Sequence, residues 1–296
     1  MATGRRRRPR GFTLVEAIIV IAIIGIIGAI VAVFIRLPVQ NYADSVARAE
    51  ISDEADLALR RMARELRLAL PNSIRVNSDG SAIEFLLTKT GGRYLALEDN
   101  LPATLPILDF SDSARTTVTL LGSLSQPIAT TDFFVVNNLG NGMAPADAWG
   151  YATAARNIAA VKTALAAGAT RPVLELVDNP FAAQAPAMPS PDHRYQIVSG
   201  PVTFSCARDS DNALVLTRYA AYSINVNQVN PPVGAGSVAP LSRRVNSCAG
   251  IFTFDPAAQR SALVNLTLAL AARTSAGTAA TESIRLVHQV HVDNTP

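Results

Sequence analysis

The stretch "RRRRPRGFTLVEAIIVIAIIGIIGAIVAVFI", Arg5 to Ile35, decides how the rest of the chain is read. Phe12 to Ile35 is apolar apart from Thr13 and Glu16, the latter its one ionisable residue. About 20 such residues cross a hydrocarbon core of about 30 Å as a helix. A cleaved secretory signal has a shorter apolar region, roughly 7 to 15 residues, closed by a small-residue site. Here Arg36-Leu37-Pro38 follows instead, so the run reads as a retained membrane span.

Charge sets its orientation. Arg5, Arg6, Arg7, Arg8 and Arg10 precede the span with no acid among them. By the positive-inside rule that end stays cytoplasmic and everything beyond Arg36 lies across the membrane. A basic run also suits nucleic acid, but one that abuts a span is a topology signal. The net charge of +3 becomes −2 once the five leader arginines are removed, so no nucleic-acid partner is expected of the rest.

Glu16 has two readings. It is an incidental polar residue at a helix end, or it waits for a cation. A charge at the centre of a membrane helix costs about 2.5–3.5 kcal/mol on insertion scales, and less near an end. Cutting between Gly11 and Phe12 would create a suitable cation, an amino terminus one turn before Glu16, supplied by the same chain or a neighbour. Burying the pair among helices would then favour correct register, because a buried charge left alone is costly.

"Gly11-Phe12-Thr13-Leu14-Val15-Glu16", a short basic leader before it and an apolar run after it, resembles the class III signal of type IV prepilins and type II secretion pseudopilins. The resemblance implies a prepilin peptidase that cuts after Gly11 and N-methylates Phe12, with Glu16 as the assembly carboxylate. It implies partners too: other pilins or pseudopilins through the helix, an inner-membrane assembly platform, and membrane lipid. The implied location is the bacterial inner membrane, leader cytoplasmic and head periplasmic, then a surface fibre.

The expected fold is α+β: a long N-terminal helix carrying an antiparallel β-rich head. The sequence divides into a leader (1–11), a membrane half of the helix (12–36), an amphipathic half (37–71) and the head (72–296). Pro38 lacks an N–H and is expected to kink or interrupt the helix. In "YADSVARAEISDEADLALRRMARELRLAL" (42–70), Ala55, Leu59, Met62 and Leu66 recur at helical spacing and form a buried seam. Arg60, Arg61, Arg64, Glu65 and Arg67 form a solvated flank. Leu70-Pro71 ends the helix.

From Ser73 the period becomes two. "SIRV", "AIEFLLT" and "RYLAL" read as strands, with Asp79-Gly80 and Gly91-Gly92 as turns. "TTVTLLGSL" and "DFFVVNNLG" continue the series. Residues 141–192 are rich in Ala, Pro and Gly and read as an insertion on the head. It holds a helix candidate, "IAAVKTALAAG" (158–168), and a strand, "PVLELV". Trp149 and Tyr151 either anchor it or face a partner. The last third reads as strands again: "RYQIVSGPVTFSC", "ALVLTRYAAYSI", "GIFTFD", "ALVNLTLALAAR" and "ESIRLVHQVHV".

The two cysteines, Cys206 and Cys248, lie in that third. On the far side of a membrane they are in an oxidising space, which favours a disulfide. Two separate thiols or a metal pair are the alternatives, and no nearby histidine supports zinc.

The size of the head and "LRLALPNS" (66–73) resemble the J-type minor pseudopilins. "GPVTFSC" (200–206), "CAGIFTFDP" (248–256) and "HQVHVDNTP" (288–296) are similar to minor prepilins of the MSHA (mannose-sensitive haemagglutinin) pilus system.

Nothing in the pattern suggests an enzyme, a cofactor or a metal. His288 and His291, three apart on a strand, point to opposite faces. "Gly122-Ser123-Leu124-Ser125" is not a nucleophile elbow, and no P-loop or dinucleotide fingerprint occurs. Asp209-Ser210-Asp211-Asn212 suits a solvated turn better than a Ca²⁺ loop, which would need a closing Glu. The expected function is therefore structural. A membrane-anchored periplasmic binding or catalytic domain is the competing class.

Overall fold

The computed structural model describes residues 11–99, 104–258, 261–272 and 282–296. The leader arginines lie outside the described residues. The chain forms two units, the first ending at Glu50 and the second spanning Ile51–Pro296. The fold is α+β: an apolar N-terminal helix and a head rich in antiparallel strands.

The long helix, α1, runs Leu14–Leu66. Pro38 does not interrupt it. Proline removes only its own N–H, and in or beside a membrane span local backbone adjustment absorbs one lost bond. In the second unit, Ala55, Leu59, Met62 and Leu66 are all buried, with Ile51, Ala58 and Ala63 beside them. The expected seam is present.

The helix stops short of the expected Leu70. The Leu68 and Ala69 amides tighten to i→i+3 bonds on Glu65 and Leu66. Next, Leu70 N–H donates to Leu86 O at 2.7 Å and Thr88 N–H donates to Leu68 O at 2.8 Å. The sheet takes the backbone groups that a further helical turn would have used.

The head is built on two sheets. The strands are β1 (Arg75–Val76), β2 (Ala82–Tyr94), β3 (Thr117–Leu121), β4 (Phe133–Val135), β5 (Ile158–Ala160) and β6 (Val173–Glu175), then β7 (Arg194–Arg208), β8 (Leu214–Ala220), β9 (Ser237–Ser242), β10 (Phe252–Ala258), β11 (Ser261–Ala272) and β12 (Glu282–Asp293). The larger sheet has the order β5-β4-β7-β2-β3-β6, with β1 on β2, β8 on β7 and β9 on β8. The smaller is β10-β11-β12. Along β11 alternate residues from Ala262 to Leu270 are buried, the period-two pattern of a sheet with one covered face.

Three local expectations are corrected. Gly91 and Gly92 are not a turn. They lie inside β2, opposite Gln196 and Tyr195. A Cβ on Gly92 would meet the Tyr195 ring at 3.1 Å, so the glycine leaves room for a cross-strand aromatic. Residues 158–168 are not a helix. Ile158–Ala160 pairs with β4. The Val161, Lys162 and Leu165 amides donate to Asp132, Glu175 and Ile128. Long-range pairing overrides the alanine-rich propensity. Third, Glu65 is not solvated: its carboxylate takes the Arg218 Nε–H at 2.7 and 3.0 Å.

Segment 141–192 contributes β5, β6 and two 3₁₀ turns, Ala148–Gly150 and Pro180–Ala183. Trp149 and Phe181 are buried. Trp149 joins Leu70, Leu86, Val135 and Val198 in one core cluster, and Phe181 joins Phe134, Tyr195 and Ile197 in another. Trp149 Nε1–H donates to Ser73 O at 3.0 Å, satisfying the one polar atom of a large buried ring. Trp149 thus anchors the segment. Tyr151 packs edge-on against Phe133.

Candidate functional site

The site begins where the helix begins. Gly11, Phe12 and Thr13 precede α1 and are not helical. The Gly11–Phe12 bond therefore lies outside the helix. Among the described residues, apart from its chain neighbours, no atom comes within 4 Å of the Cβ position at Gly11, and Phe12 is 80% exposed.

Thr13 is the N-cap. Its Oγ1 accepts the Glu16 backbone N–H at 3.3 Å. Thr-x-x-Glu is the capping-box spacing. It places Glu16 in the first turn, where the positive end of the helix dipole favours a carboxylate. Among the described residues no cation pairs with Glu16.

Leu14–Ile35 is a candidate span of 22 residues with mean hydropathy 3.4, none of it buried within the chain. Ile18, Ile21, Ile24, Ile27 and Phe34 are each more than half exposed. A surface of this kind needs lipid or other helices to cover it. A short signal sequence would also be apolar here. What differs is continuity: α1 carries on past Ile35 without a break as far as Leu66.

Cys206 and Cys248 form a disulfide, with Cα atoms 5.3 Å apart. It ties the end of β7 to the segment before β10. Among the described residues no three His, Cys, Asp or Glu side chains gather as metal ligands. Asp209 closes its turn: Oδ1 accepts the Asp211 and Ala213 amides at 2.9 and 3.0 Å, while Oδ2 faces Arg243 at 3.3 Å. His288 and His291 lie opposite Leu266 and Leu263 of β11.

Sequence reasoning missed a buried polar hub. Arg75 Nε donates to Glu84 Oε2 at 2.7 Å, and the other guanidinium nitrogens donate to Val226 O and Asn225 O. The Tyr222 hydroxyl donates to Glu84 Oε1 at 2.8 Å. Burial is the main cause that raises the Tyr222 phenol, with the Glu84 charge second. The hub pins the 221–230 segment to the head. The signal available in sequence was the hairpin: a turn at Asp79-Gly80 sets Arg75 opposite Glu84.

A second missed set closes the chain's end. Asn72 Nδ2 donates to Asn138 O and Asn294 O, and Asn138 Nδ2 donates to Pro71 O.

Residues 6–32 match the prokaryotic N-terminal methylation motif. No curated protein and no solved structure matches the chain. The N-terminal segment is therefore prepilin-like. Such a motif implies processing by a prepilin peptidase and association with other pilin-like chains. The matched residues end inside the apolar half of α1.

Proposed function

We propose that the protein is a minor pilin or pseudopilin, a non-catalytic subunit that helps to start or tip a fibre. The observation that carries this is the lone carboxylate, Glu16, in the first turn of an uncovered apolar helix, beside a scissile bond held outside it. A prepilin peptidase cuts after Gly11 and methylates the Phe12 amine. That amine, on the same or a neighbouring subunit, is the counter-charge for Glu16. A pair held among apolar helices rewards correct register, because either charge left alone is penalised.

The leader arginines support a cytoplasmic N-terminus. The disulfide supports a head in the periplasm. A head of this size repeated at every step would crowd a filament, which favours a tip or initiating position. The finer reading is a minor prepilin of an MSHA-like pilus, similar to MshO. A type II secretion pseudopilus is the alternative setting.

The test is mass spectrometry of the chain purified from membranes. A mature terminus at methylated Phe12 is expected; an intact leader or another cleavage site overturns the proposal. Glu16→Ala should still insert and be cleaved yet fail to enter a fibre, whereas normal assembly would remove the role given to Glu16. Imaging surface fibres and assaying exported proteins in a deletion strain separates the pilus from the secretion setting.

A further inference from the structure

A surface cavity of about 590 Å³ opens on the head, walled by Leu97, Ile107, Leu108, Phe110 and Pro189. Small-molecule sites fall in this size range and combine apolar walls with a few polar groups. Two neighbouring segments, 94–98 and 107–115, and a third far off in sequence, 187–193, build it.

Its polar groups are unevenly matched. Tyr94, 1% exposed, also lines it, and its hydroxyl has no hydrogen-bond partner among the described residues. Burial pushes the Tyr94 phenol up to about 12, against an opposing pull from the Ser190 backbone, so it keeps its proton near neutral pH. A buried hydroxyl left without a partner is costly, and a ligand could satisfy it.

The rim is short of positive charge. Arg115 Nε faces two carboxylates, Asp109 at 3.6 Å and Asp112 at 3.5 Å. The ion-pair contact of Glu98 among the described residues is His193, Nε2 to Oε2 at 3.8 Å. The other ring nitrogen, Nδ1, lies 3.4 Å from an Arg93 guanidinium nitrogen. Among the described residues, then, no lysine or arginine pairs with Glu98 at the cavity.

We propose that this cavity binds a small primary amine carried on an apolar body. The body fills the walls, the ammonium sits against Glu98, and the Tyr94 hydroxyl gains a partner. An anion is disfavoured by the surplus carboxylates.

The test uses three probes of similar shape: phenethylamine, 2-phenylethanol and phenylacetate. Each is titrated into the full chain, isoleucine- and leucine-methyl labelled, in detergent micelles, with empty micelles as control. Phenethylamine should shift the Ile107 and Leu108 methyls and bind roughly tenfold more tightly than phenylacetate, as expected of one partly screened charge contact. Glu98→Gln should abolish the preference for amine over alcohol. Tyr94→Phe should weaken amine binding while leaving the melting temperature unchanged or higher. No saturable shift at these methyls, phenylacetate binding as well as the amine, or a preference that survives Glu98→Gln would each overturn the proposal.

Discussion

The Thr13 hydroxyl oxygen accepts the Glu16 amide at 3.3 Å, and this bond fixes where the helix starts. It keeps Phe12 outside α1 and sets the spacing between the Phe12 nitrogen and the Glu16 carboxylate. Removing an N-cap typically costs about 1 kcal/mol, which is about fivefold in a local opening equilibrium. Thr13→Ala should therefore speed amide exchange at Glu16 about fivefold in micelles, and Thr13→Ser should restore it. Equal exchange in Thr13→Ala and the parent chain would show that the cap is idle.

Arg75 and Glu84 lie across the β1–β2 hairpin with side chains only 9% and 3% exposed. The Arg75 guanidinium also stacks 3.6 Å from the Trp149 ring centre. Taking away one member of a buried pair leaves an uncompensated charge, at a cost of about 3–5 kcal/mol. Glu84→Ala should lower the melting temperature of the head sharply and increase exchange in the 221–230 segment. The double change Arg75→Met, Glu84→Leu should recover much of the loss, since no charge is then left buried. A double variant no better than Glu84→Ala would place the stabilisation in the individual hydrogen bonds instead.

What could be read in advance was local and periodic. The apolar run, the Thr13-to-Glu16 spacing and the Ala55-Leu59-Met62-Leu66 seam are short-range patterns, and the structure contains them. So are the long strands β7, β11 and β12. Apart from Pro38, which the helix absorbs locally, the misreadings share one cause, long-range pairing that local propensity does not encode. Residues 158–168 are alanine-rich enough for a helix, yet their amides go to Asp132, Glu175 and Ile128. Gly91-Gly92 suits a turn, but Tyr195 needs the space. Arg75 meets carbonyls 150 and 151 residues away. The strand β9 was hidden by Pro240, which an edge strand tolerates.

The disulfide closes β8 and β9 into a loop, its cysteines 42 residues apart in sequence. On the chain-entropy account such a loop is worth roughly 4 kcal/mol, before any native-state cost. Cys206→Ala, Cys248→Ala should lower the melting temperature and loosen amide protection in β8 and β9 first. Protection in β11 and β12, which the bridge does not enclose, should change less. A uniform loss across both sheets would mean that the bridge supports the whole head rather than its own loop.

The ionisable groups set a pH window with two different limbs. Backbone amides hold two carboxyls below the ordinary range: that of Ala96 at Asp99 and that of Ser81 at Asp79. The Ser111 hydroxyl holds Asp109 low. A depressed carboxyl stabilises the fold above its unfolded value, about 3.9, and that contribution is lost as the pH falls through the folded value. Burial acts oppositely on the phenols, pushing Tyr94 and Tyr195 up to about 12 and raising Tyr222 further. Between about 10, the unfolded tyrosine value, and the folded values, the native state holds more protons than the unfolded one. Stability therefore falls as the pH rises through that interval. The melting temperature should be level from about pH 5 to 9, decline below about 4, and decline again above about 10. Tyr195→Phe should shrink the alkaline limb and leave the acid limb in place. An alkaline limb unchanged in Tyr195→Phe would assign it to other groups, and tyrosinate absorbance followed through the same titration would show whether ionisation and unfolding coincide.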